Sequence, residues 1–191
     1  MNGMLLNVEY NKRVIKTRDR DDGYVYVLII DSKSRFSKVI KGFTHTPYNH
    51  SSVSFDKSLT KMYAFNVNGF LIEDLKETYI PDATFSLYRT KVSKTVIERM
   101  KTTAEKVFAD EDKYKYNWAG LGGVLMKREV KRDNAFFCSE FVAYLFHSAG
   151  ADHLFNKPVS LIQPYDFAKN RNFEFVYRGK VKNYHPDKVE E

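Results

Sequence analysis

The chain has one cysteine, five prolines, nine glycines and one tryptophan in 191 residues. A single cysteine excludes an internal disulfide framework, so nothing in the composition demands an oxidising compartment. It also excludes a cysteine-rich zinc site: Cys138, His147 and His153 lack a fourth soft ligand, and helical spacing separates them. No metal and no cofactor is expected. No apolar run approaches the ~20 residues that span a bilayer. The opening segment MNGMLLNVEYNKRVIK holds too short an apolar run for a secretory signal. The expectation is therefore a cytoplasmic protein without stable membrane insertion. Repeats and low-complexity tracts are missing as well, which excludes solenoid and collagen-like classes.

The formal net charge of +7 raises the question of an anionic partner. The basic residues run from Lys12 to Lys188 and alternate with acids, as in KREVKRD, and they form neither a finger spacing nor an aromatic RNA-binding motif. They read as a solvated surface, and no nucleic acid is expected as partner. No feature of the sequence reports an oligomeric state.

Aromatic residues are plentiful: 13 Tyr and 15 Phe. They concentrate in short runs bounded by Asp, Asn, Gly or Pro, which predict strands at 24–30 (YVYVLII), 38–42, 51–55, 62–67, 84–89 and 173–178. Helical spacing predicts a helix over 93–109, with Val96, Ile97, Met100, Ala104 and Val107 on one face. A second helix is predicted over 138–149, closed by Gly150. Strands first and helices later suggest a single α+β domain with an antiparallel sheet packed against helices. Residues 1–20 read as an extension, and 181–191 as a charged tail expected to fray.

Cys138 lies on the stripe Cys138, Phe141, Val142, Leu145, which taken alone makes it a core residue. Its place in the first turn of a helix supports a different reading. There the unpaired N–H groups and the helix dipole favour a thiolate and can receive an oxyanion. A nucleophilic thiol needs a base, usually histidine. His147 lies on the far side of the helix from Cys138, His153 at its wrong end, and His185 in the tail. His45 and His50 remain, and His50 is the better placed, directly ahead of the predicted strand SSVSF.

Four blocks, TPYNHSSVSFDKSLTKMYAF, KYKYNWAGLGG, FFCSEFVAYLFHSAG and KPVSLIQPYDF, resemble in that order the permuted branch of the NlpC/P60 papain-like superfamily, closest to its YiiX/YebB-like group. The resemblance implies a circularly permuted papain-like fold, in which the histidine strand precedes the cysteine helix. It implies Cys138 as nucleophile, His50 as general base, and a polar residue on the following strand as orienter. The nearest such residue is Asn66, with Tyr63 or Asn68 in other registers. Tyr116, Trp118 and Gly120 are candidates to line the approach to the thiol, and Tyr165 to reach the cleft. The implied activity is cysteine hydrolysis of an amide bond in a peptide, muropeptide or amino-acid amide, so the partner is a small-molecule or peptide substrate. The alternatives are a ligand-binding module on the same fold with an idle dyad, and a lipid acyltransferase or esterase working through a thioester.

Overall fold

A computed structural model describes residues 22–31, 48–130 and 132–190. The protein is α+β. Its frame is a six-stranded sheet in the order β4-β3-β2-β1-β5-β8, antiparallel throughout. In chain order the strands are β1 (Asp22–Asp31), β2 (His50–Ser54), β3 (Met62–Asn66), β4 (Gly69–Glu73), β5 (Thr84–Ser93) and β8 (Glu174–Lys180). Two short strands, β6 (Lys115–Tyr116) and β7 (Ala135–Phe136), pair in parallel apart from it. The helices are α1 (Leu75–Thr78), α2 (Lys94–Ala109), α3 (Trp118–Leu125), α4 (Cys138–Ser148) and α5 (Pro164–Lys169).

β1 is apolar without alternation because both of its faces are covered. Val25, Val27 and Ile29 join a core with α2 and α4, whereas Tyr26, Leu28 and Ile30 join a second core with α1 and the C-terminal segment. α2 begins where Ser93 Oγ accepts from the Val96 amide, and it buries Ile97, Met100, Ala104 and Val107. The many phenylalanines fill the first core in rings of edge contacts, with Phe65 against Phe136 and Phe141, and Phe146 against Phe155 and Phe173.

The expected strands at 24–30, 51–55, 62–67, 84–89 and 173–178 correspond to β1, β2, β3, β5 and β8, and both expected helices form. The strand expected at 38–42 lies outside the described residues. β4 is additional. It returns from β3 through Val67 and Asn68, with Gly69 at φ +112°, a backbone angle that favours glycine. The described residues of the tail, 181–190, do not fray. Val181 and Tyr184 are buried in the second core, and the Tyr184 hydroxyl donates to the Lys57 carbonyl. The tail's charge suggests fraying, but the apolar surface of Val181, Tyr184 and Val189 outweighs it. No helix among the described residues is long and apolar enough to cross a membrane.

Phe65 is fully buried between the sheet and α4. Phe65→Ala is expected to cost about 3–5 kcal/mol, seen as a lower urea midpoint with an unchanged slope.

Candidate active site

Cys138 is the first residue of α4, and the helix starts there for local reasons. Phe137 is extended at φ −102° and ψ 169°, and its amide donates to the Glu140 carboxylate at 3.2 Å. Asn117 Nδ2 donates to the same oxygen at 3.1 Å. Burial pushes the Glu140 carboxyl above its ordinary range, against these bonds. Ser139 Oγ ties the turn to the Ile162 carbonyl at 2.7 Å. The first turn is therefore fixed on three sides, and Cys138 with it.

β2 supplies the partner. It reads His50, Ser51, Ser52, Val53, Ser54, and every residue of this polar strand is buried. Its pairing with β3 begins only at Ser52, which leaves His50 beyond the last pair, where α4 meets the sheet. His50 Nε2 lies 2.9 Å from Glu73 Oε1 and 3.3 Å from Ser52 Oγ. The ring is also close enough to the Cys138 thiol for each group to favour the charged form of the other. The second oxygen of Glu73 accepts from Ser52 Oγ and, at 2.8 Å, from the Tyr79 hydroxyl. Ser51, the next residue of β2, also favours a charged sulfur through its N–H and its hydroxyl. That hydroxyl is the one buried side-chain polar atom without a hydrogen-bond partner among the described residues.

Burial opposes charge on all three principal groups, and the groups overcome it together. Burial pulls His50 down, but the Glu73 charge and the bonds from Cys138 and Glu73 lift it to about 10. Burial pushes the Cys138 thiol up, yet the His50 bond and charge, with the Ser51 N–H, bring it below its ordinary value. Glu73 is likewise raised by burial and carried below the usual carboxylate range by His50, Ser52 and Tyr79. The shifts favour the charged forms of all three groups, a thiolate, an imidazolium and a carboxylate in one cluster.

The expected residues fall differently. Cys138 and His50 are together. Asn66 is not with them: it ends β3 opposite Gly69, and its Oδ1 accepts from the Asn68 amide at 2.8 Å. The residue against His50 is Glu73, from the next strand. Register explains the difference. Met62 pairs with Ser54 on one side and Glu73 on the other, so Glu73 shares a sheet face with Ser52, whereas Asn66 lies past the last β2–β3 pair. Tyr63 points into the first core, on the opposite face. Asn68 occupies the turn and is exposed. Tyr116 is half-buried beside the thiol, and burial together with the Cys138 charge pushes its phenol up. Trp118 meets Tyr116 edge-on at 4.7 Å and is 53% exposed. Tyr165 stacks on Tyr48, two residues before His50, with Lys169 over its ring. Gly120 serves packing: a Cβ there would sit 2.2 Å from Asn117 Nδ2, whose side chain caps α3.

Glu73, Ser51, Ser52 and Tyr79 escaped sequence reading. The signal for Glu73 was the Asn68–Gly69 turn followed by GFLIE, a second hairpin strand ending in a carboxylate. Among the described residues, no group of three or more His, Cys, Asp or Glu is placed to hold a metal ion.

Glu73→Gln removes the charge that sustains the imidazolium. The pH at which iodoacetamide alkylates Cys138 half-maximally is expected to rise by about one unit or more. Asn66→Ala is expected to leave that profile in place.

Compared with protein-family models and with curated proteins, the chain finds no match in either set.

Proposed function

We propose that the protein is a cysteine hydrolase that cleaves an amide bond, built on a circularly permuted papain-like fold. The observation that carries this reading is the His50 ring held between the Cys138 thiol and the Glu73 carboxylate at the N-terminus of α4. The chain order, histidine strand before cysteine helix, supports the permuted connectivity. So does the antiparallel sheet with α4 packed on β2 and β3. The resemblance to NlpC/P60 relatives supports peptides, muropeptides or amino-acid amides as substrates.

Each group then has a role that follows from its place. The Cys138 thiolate attacks the carbonyl carbon, and the N–H groups of the first turn of α4 receive the charge that builds on oxygen. His50 gives its proton to the departing amine as the C–N bond breaks, leaving a thioester on Cys138. His50 next takes a proton from water, whose oxygen attacks the thioester. The acid is released, and the thiolate and imidazolium are restored. Glu73 holds the ring and stabilises its positive form throughout.

A panel of labelled amides and esters tests the reading. Cys138→Ala is expected to abolish turnover, and His50→Ala to lower it about 10²- to 10⁴-fold. Turnover depends on pH with a definite sign. It rises as Cys138 loses its proton, below the ordinary thiol value, and falls as His50 loses its own near 10. Alkylation of the thiol persists above that second limb, because it needs no acid. Cys138→Ala retaining full turnover would overturn the proposal. So would a wild-type thiol that is alkylated only in its ordinary pH range.

A further inference from the structure

Glu73 is buried, and its side chain ends in a carboxylate free to turn about the Cγ–Cδ bond unless something holds it. Its two oxygens have different partners. Oε1 lies on His50 Nε2 at 2.9 Å. Oε2 takes two hydroxyl donors, Ser52 Oγ from β2 and Tyr79 from the end of α1, the latter at 2.8 Å. Neither donor is exposed, and neither is one of the reacting groups proposed above.

We propose that Ser52 and Tyr79 are positioning residues of this site. Their hydroxyls fill Oε2 of Glu73 from two different elements and so fix the carboxylate plane that leaves Oε1 on His50 Nε2. The donors reach the carboxylate by independent routes. Ser52 is two residues from His50 on the same strand, so any movement of β2 carries histidine and donor together. Tyr79 follows α1, whose cap Asp74 directly succeeds Glu73, so the edge strand and its donor form one short unit. The carboxylate is thereby tied across β2, β3 and β4 to the histidine it serves.

Chemistry favours hydroxyls in both places. A third charged group would compete with His50 for Glu73 or repel one of the pair, whereas a hydroxyl donates without changing the charge count. Tyr79 stays a donor over the working range: burial and the Glu73 charge hold its phenol well above the ordinary value. The titratable groups facing this cluster are His50 and Glu73 themselves, Cys138 from α4, Tyr79, and Tyr116 on the far side of the thiol. The Tyr79 ring also lies 6.5 Å from the His50 ring, so Tyr79→Phe deletes the hydroxyl and keeps that contact.

The inference rests on the reading of Cys138, His50 and Glu73 as a working set, but its test requires no turnover. The carboxyl carbon of Glu73 is followed by ¹³C NMR against pH in the wild type, Tyr79→Phe, Ser52→Ala and the double variant, with the melting temperature recorded for each. A hydrogen bond to a charged group favours its charged form, so losing either donor is expected to move the Glu73 midpoint up by about one pH unit or more, and losing both by more. The ¹⁵N spectrum of His50 is expected to lose the sharp, single Nε2–H signature of the wild type in the double variant. An unmoved Glu73 midpoint in folded Tyr79→Phe and Ser52→Ala would overturn the proposal, as would lower melting temperatures without any change of titration, the mark of packing alone. Iodoacetamide profiles on the same samples separate the two readings. An ordinary wild-type thiol with shifted Glu73 midpoints removes the hydrolase and keeps the clamp. An activated thiol with unmoved midpoints does the reverse.

Discussion

A buried carboxylate beside a buried imidazole is expensive unless each keeps the other charged, and the His50–Glu73 pair is the constraint on which the arrangement turns. Removing one partner leaves the other as an isolated charge in a site almost closed to water. The pair therefore cannot be weakened by half. That interdependence explains the concentration of hydroxyls at this point of the sheet. Ser52 and Tyr79 supply donors to the carboxylate, and Ser51 lies against the sulfur.

The same pair gives the thiol its environment. Cys138 would gain from the start of α4 alone, since unpaired N–H groups favour a negative sulfur. Burial works against that gain. The imidazolium opposes that cost, and Glu73 together with the sulfur keeps it charged. Three elements that are distant in the chain, β2, β4 and α4, are thus coupled through charge as well as through packing.

Much of the frame was readable beforehand because it depends on local patterns. The run Tyr24–Ile30 announced a strand, and the spacing through Ile97, Met100 and Ala104 announced α2. Cys138 and His50 were readable because helix position and chain order are properties of sequence. The residue against His50 was not. Choosing Asn66 assumed that the strand after the histidine would supply it, whereas the choice between Asn66 and Glu73 depends on which residues pair across β2, β3 and β4. Register is a tertiary quantity, and a single strand does not encode its own alignment. The buried tail escaped for a related reason. Val181 and Tyr184 look like isolated apolar residues in a charged segment until the second face of the sheet exists to receive them.

The order of these elements along the chain has a consequence for biosynthesis. His50, Glu73 and Tyr79 all precede Cys138, and the sheet strands that align the first two are complete, β8 excepted, before α4 is made. The sulfur is the last part of the cluster to leave the ribosome. Its surroundings are complete only when α4 packs against the sheet that carries His50 and Glu73. A nascent chain that has not yet made this contact accordingly exposes an ordinary thiol.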